Sequence, residues 1–215
     1  MPLSSPAPRE PLHSRRITCE GFRRKDGLVE IEGHIIDVRP FPYHHHWDHG
    51  VVDGTPIHEM WLRLVLDDSK KIVDVEVALD NTPFPRCKEV DAHYKRLVGL
   101  TIGAGFSKRM FDLVGADQGC THVTGLLQSM ATTLLQALAS EAQRLQPTPP
   151  GVSEEALMAV RAEKIGAVFR TPSVDPAYPL LNSCYSHAAV SPVVKRLSPQ
   201  HYAGEEGGTK MKKPA

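Results

Sequence analysis

The sequence has no excess of either charge: Lys and Arg total 25, and Asp and Glu also total 25. Domains that hold polyanions carry a basic surplus. The basic clusters here (Arg15-Arg16, Arg23-Arg24-Lys25, Lys195-Arg196) are short and scattered, so nucleic acid is not an expected partner. No apolar run approaches the ~20 residues that a bilayer span requires. Met1 to Pro11 is rich in Pro and Ser and has no apolar h-region, so a secretory signal is not expected there either. A membrane is therefore not an expected partner, and a cytoplasmic location is the expectation. The cysteines, Cys19, Cys87, Cys120 and Cys184, lie far apart and form no CxxC pair. That usage suits a reducing compartment better than a disulfide scaffold. GxSxG, HExxH, the Walker A loop and the dinucleotide fingerprint are all missing. The run Gly103-Ala104-Gly105-Phe106-Ser107-Lys108 resembles a GxG only superficially, which disfavours nucleotide and flavin chemistry.

With 215 residues and 41% hydrophobic content, the chain can build an ordinary core without a metal or disulfide. The expected layout is a disordered or extended lead over 1–14, a single domain over 15–202 and a disordered tail over 203–215. A hairpin is expected from Arg16–Arg24 and Leu28–Val38 around Asp26-Gly27. Val29, Ile31, Gly33 and Ile35 alternate on one face of its second strand. Ile36 and Val38 then change phase, which predicts a bulge. A long loop, Pro40–Pro56, precedes a third strand over Ile57–Leu66. The fourth, Ile72–Leu79, is read with Val73, Val75, Val77 and Leu79 inward.

After Pro83-Phe84-Pro85 the period becomes helical. Helices are expected over Cys87–Val98, Phe106–Val114, Thr121–Leu145 and Ser153–Ile165. The third carries the stripe Val123, Leu127, Met130, Leu134, Leu138 and Ala142. Residues 166–202 read as loop-rich. The fold class is α+β: an antiparallel meander of about four strands against a long helix and shorter ones.

Several residues are candidates for chemistry. The stretch Tyr43-His44-His45-His46-Trp47-Asp48-His49 has metal-ligand side chains but no helical spacing to converge them, and an exposed polar loop accounts for it more simply. His58 shares the phase of Met60, Leu62 and Leu64, which puts an imidazole at the rim of the buried face. It is either a pocket base or a core-edge histidine bonded to a carbonyl. Thr121 reads as the N-cap of the long helix, with Cys120 and His122 beside the positive end of its dipole. That field favours a thiolate, disfavours an imidazolium and attracts an anionic oxygen. Arg15 and Arg16 can each pair with a phenolate or carboxylate, or simply open an exposed strand. Asp80 closes the fourth strand, as a cap or as a base. Tyr94, Tyr185 and Tyr202 can each donate a phenolic hydrogen bond.

The stretches PLHSRRITCEGFRRKDGLVEIEGHIID (11–37), HEMWLRLVLDD (58–68), GCTHVTGLLQSMATT (119–133) and NSCYSHAAVSPVVKR (182–196) resemble a bacterial family catalogued as a domain of unknown function. Some of its members look like γ-formaldehyde lyases of lignin-derived aromatic dimers, including the phenylcoumaran type. The likeness spans most of 11–202. The pattern leads one to expect His after Cys184, where this chain has Tyr185, and the His-rich loop lies outside the matching stretches.

The resemblance implies a retro-aldol-type fragmentation without a cofactor, in which the aromatic substrate is its own electron sink. It implies His122 or His58 as base, Arg16 as phenolate partner and Asp80 as orienting group. Arg15, Trp61, Thr121 and Tyr185 are then the expected substrate contacts. The expected partner is a small aromatic molecule, with self-association left open. A different class of reading takes Cys87, Cys120, His122 and Cys184 as soft ligands of a zinc or iron–sulfur carrier. A third is a ligand-binding subunit without turnover.

Overall fold

The computed structural model describes residues 3–45, 47–144, 151–169, 181–182 and 185–204. The chain forms two compact units, with the boundary between Leu134 and Leu135. The first unit holds β1 (Ser14–Arg23), β2 (Val29–Val38), β3 (Tyr43–His44), β4 (Val51–Val52), β5 (His58–Leu66) and β6 (Ile72–Asn81). It continues through a 3₁₀ helix over Pro85–Leu97 into α1 (Phe106–Val114), and α2 (Thr121–Gln143) starts within it. The second unit contains α3 (Glu154–Phe169) and α4 (Pro192–Leu197). Among the described residues no helix is long and apolar enough to cross a membrane.

The expected meander is present as a four-stranded antiparallel sheet in the order β1-β2-β5-β6. The expected bulge in β2 is not. Its register with β1 and β5 runs unbroken, and burial alternates from Val29 through Val38. Period two therefore continues past Ile35 and turns Asp37, not Ile36 or Val38, toward the core. The irregularities lie between β5 and β6, at Glu59/Met60 and at Val65/Leu66. They skip Asp80 and Val73, so Val73, expected inward, is 40% exposed, and Ile72 takes the buried position.

Val123, Leu126, Leu127, Met130 and Leu134 of α2 are fully buried. The helix lies so close to β2 that a Cβ on Gly33 would sit 2.7 Å from Met130 Sδ and 3.0 Å from Leu126. Glycine is what permits this approach. The segment expected as a helix over Cys87–Val98 is 3₁₀ and opens with Pro85, which supplies a fixed φ where no N–H is needed. The long loop contains the two-residue strands β3 and β4, which sequence period could not reveal.

In the second unit, Ser153 caps α3 by accepting from Ala156 N. Helix α4 falls in the stretch expected to be loop and is capped by Ser191, which accepts from Val194 N. Tyr185 lies here, 89% exposed. Cys184 and the tail from 205 onward fall outside the described residues; Cys19, Cys87 and Cys120 are free thiols.

Candidate functional site

The site is assembled around Asp37, a fully buried carboxylate on the core face of β2. Its neighbour in register on β1 is Arg15, and on β5 it is His58. Directly opposed residues share a face, so the sheet itself brings these side chains together. Arg15 donates from Nε to Oδ1 and from Nη2 to Oδ2, both at 2.7 Å. His58 Nδ1 lies 3.0 Å from Oδ2 and His13 Nε2 3.2 Å from Oδ1. Burial pushes the Asp37 carboxyl up, but the bonds from Arg15, His13 and His58 outweigh it and bring the pKa down to about 2. The carboxylate is thus an anion at neutral pH, and His58 bonded to it carries its proton on Nδ1. That leaves the Nε2 lone pair free to act as a base.

The first turn of α2 supplies the second imidazole. His122 stacks on His58 with ring centroids 3.7 Å apart, and its Nε2 is 3.8 Å from Asp37 Oδ2. Burial, then the His58 ring and the Arg15 guanidinium, lower the His122 pKa to about 4. His58 is also lowered, chiefly by burial, against the opposing pull of Asp37.

The turn into α2 is held by buried Tyr94, whose hydroxyl accepts from Cys120 N at 2.9 Å and lies 2.9 Å from Thr124 Oγ1. Thr124 Oγ1 in turn donates to Val114 O. Burial raises the Tyr94 phenol to about 12, so it serves here as a neutral hydrogen-bonding group. Cys120 O accepts the first helical bond, from Thr124 N, which makes Cys120 the cap and Thr121 the first helical residue. Cys120 Sγ lies 3.8 Å from His122 Nδ1 and 3.9 Å from Met60 Sδ.

His58 and His122 line one pocket of about 1020 Å³, together with Cys87, Cys120 and Thr121. Its apolar wall includes Ile57, Met60, Trp47 and Phe84. Of the residues given a catalytic or substrate-binding role from sequence, His58, His122 and Arg15 are thus gathered on one carboxylate, and Thr121 faces the same space. The others lie elsewhere. Arg16 pairs with Ile36 on the opposite face of the sheet and is exposed. Asp80 is the exposed residue skipped by the β5–β6 irregularity. Trp61 is on the outer face, stacked on His34 at 3.6 Å.

Asp37 and His13 were missed. Asp37 was readable, since the alternation Val29, Ile31, Gly33, Ile35 reaches it in one more step. His13 lies in the stretch expected as a lead and gives no sequence signal. Of the soft-ligand set, Cys87, Cys120 and His122 line the pocket. The metal-capable atoms that converge within 4.8 Å among the described residues are those of Asp37, His58 and His122.

The fold and site define an α+β protein in which paired imidazoles line a small-molecule-sized pocket and share a buried carboxylate. Residues 13–136 match the family described as protein of unknown function (DUF2889), and the chain belongs to that family. No curated protein and no solved structure matches it.

Proposed function

We propose that this protein is a cofactor-independent carbon–carbon lyase that works by acid–base chemistry on a small aromatic substrate. The observation that carries the reading is His58: bonded through Nδ1 to a buried, charge-compensated carboxylate, stacked on a second neutral imidazole, and lining the pocket. This is the arrangement a general base needs, with a fixed tautomer, a free Nε2 and a pKa below neutrality. Asp37 and Arg15 are positioning residues. His122, neutral at pH 7, offers a hydrogen bond to the substrate from beside the base.

The resemblance noted above suggests the substrate, a lignin-derived phenylcoumaran with a γ-hydroxymethyl group. In that reaction a para-phenolate expels the α-oxygen as a second phenolate and forms a quinone methide. His58 Nε2 removes the γ-hydroxyl proton and the β–γ carbon bond breaks. Formaldehyde leaves, and the bonding pair forms the stilbene double bond as the ring regains its phenolate. The test is formaldehyde and stilbene release from such a phenylcoumaran by the purified protein, by His58→Gln and by His122→Gln. Turnover lost in His58→Gln supports the reading. Turnover intact in both variants, or absent from the unmodified protein, overturns it.

One observation favours a second reading, a divalent-metal centre: two imidazoles and a carboxylate are the ligand set of many zinc and iron(II) sites, and their atoms converge here. Against it, Asp37 Oδ2 already accepts from Arg15 and from His58 Nδ1, and a metal would have to displace the His58 proton beside a guanidinium. Elemental analysis separates the two: stoichiometric metal in the purified protein supports the second reading.

A further inference from the structure

Arg39 follows directly on β2 and lines the pocket with His58 and His122. It is half-buried, and its guanidinium carbon lies 4.2 Å from the centre of the Tyr43 ring. That contact attracts the cation to the ring but offers its N–H donors no carboxylate or carbonyl acceptor. Among the described residues no carboxylate pairs with it and no hydrogen bond takes up those donors. The other charged residues of the wall have polar neighbours of their own. Arg86 is 3.9 Å from Glu89, and Asp117 accepts from Gln118 Nε2. Among the described residues, then, Arg39 stands in the pocket as a cation without a counter-ion.

Aromatic surface accompanies it. Trp47, from the loop between β3 and β4, meets Phe84, from the turn after β6, edge to face with centroids 6.4 Å apart. Both line the pocket and both are exposed, 63% and 41%. A free guanidinium and unstacked aromatic faces in one cavity select a planar organic anion. The oxyanion takes the N–H donors and the ring covers the aromatic surface.

We propose that Arg39 binds the oxyanion of an aromatic ligand, phenolate or carboxylate, whose ring lies against Trp47 and Phe84. Arg39 then fills the counter-charge role that the resemblance assigned to Arg16. The inference takes its aromatic chemistry from the proposed function, but its test requires no turnover.

Trp61 and Trp47 are the only tryptophans, so Trp61→Phe leaves Trp47 as the sole indole reporter. In that background the quenching of Trp47 is titrated with 4-nitrobenzoate, with 4-nitrophenol below and above its own ionisation, and with neutral 4-nitroanisole at both pH values. Expected is saturable quenching by an anion at least about tenfold tighter than by 4-nitroanisole. Arg39→Met should remove that preference and Arg39→Lys restore part of it, both with unchanged far-UV circular dichroism. Preference for 4-nitrobenzoate identifies a carboxylate site, and preference for 4-nitrophenolate a phenolate site. Equal binding of the neutral probe, a preference that survives Arg39→Met, or no saturable quenching by any probe overturns the proposal. Anion binding without formaldehyde release would sink the lyase and leave this site standing; release with no anion preference would do the reverse.

Discussion

His58 and His122 lie ring against ring, with centroids 3.7 Å apart and planes tilted by 32°, and both approach the same oxygen of Asp37, at 3.0 and 3.8 Å. Two imidazoles in that relationship cannot both be charged without setting cation on cation. The pair therefore takes up its first proton only below the ordinary histidine value, because both rings are buried, and a second at further cost, and its protonation steps belong to the pair rather than to either ring.

Asp37→Asn keeps the shape of the central group but removes its charge and lets the amide donate where an acceptor is needed. If His58 is the base, formaldehyde release should fall by ~10²–10⁴-fold, the scale seen when a His-orienting aspartate is replaced in other enzymes. Arg15 loses its buried partner, so stability should drop by about 2–4 kcal/mol, discounted for the partial exposure of its side chain. Kinetics and urea unfolding on one preparation check both, and activity within threefold (about) of the parent would remove the orienting role.

The acid limb of the rate profile should sit below the ordinary histidine value of 6.5, since burial lowers both His58 and His122. The neutral base then persists as the pH falls below 6.5, and kcat/KM declines only nearer the lowered values. A limb at or above 6.5 would contradict a buried imidazole base.

Stability should follow the same protons. An unfolded chain protonates His122 from 6.5 downward, whereas the folded one resists until about 4. The contribution is complete above 6.5 and is lost as the pH falls from 6.5 to 4, by up to ~3 kcal/mol. Asp37 works in the same direction at lower pH, between 3.8 and about 2. Urea midpoints at pH 7 and pH 4.5 measure the slope, which His122→Gln should flatten. Equal midpoints in the parent protein would show that His122 is not shifted.

Tyr94→Phe removes the acceptor for Cys120 N–H at the entry to α2, a bond of 2.9 Å. A fully buried amide left without its partner costs about 1–3 kcal/mol, and the half-buried Cys120 should fall at the lower end of that range. The loss should reach the site as well, because His122 stands in the first turn that Tyr94 anchors. Amide exchange at residues 120–124 should accelerate; unchanged protection there would argue against the anchor.

Gly33→Ala would drive a methyl to within 2.7 Å of Met130 Sδ and 3.0 Å of Leu126. The methionine can yield and the leucine less so, giving an expected loss of about 1–3 kcal/mol by chemical denaturation. No loss would mean that β2 and α2 are less tightly apposed.

Strand and helix periods carried most of the fold because burial here follows them: alternation from Val29 to Ile35 and from Met60 to Leu64, and a helical stripe from Val123 to Leu134. What they could not carry is register between strands. Val73 and Asp80 are displaced by irregularities that depend on how β6 meets β5, a relation no single strand encodes. The misplaced bulge in β2 came from giving Ile36 and Val38 the core by hydrophobicity, when the charged Asp37 between them was the inward residue. A buried aspartate looks like a pattern error until its partners are known, and these come from residues 13, 15, 58 and 122. His58 and His122 were legible for a local reason: each is a polar residue at the end of an apolar element. Arg15 and Arg16 carry the same local signal, and the register that sets Arg15 opposite Asp37 belongs to the sheet rather than to either residue.

The carboxylate at the centre depends on the outermost strand of its sheet. His13 and Arg15 reach it from the start of β1, which among the described residues pairs on one side only, with β2, in the four-stranded order. Peeling back those few residues is a far smaller event than unfolding the unit, yet it would strip away the guanidinium and leave Asp37 with imidazoles alone. The neighbouring rings would then compete to become its counter-ion, so fraying at one margin would switch the site from a proton acceptor to a proton store.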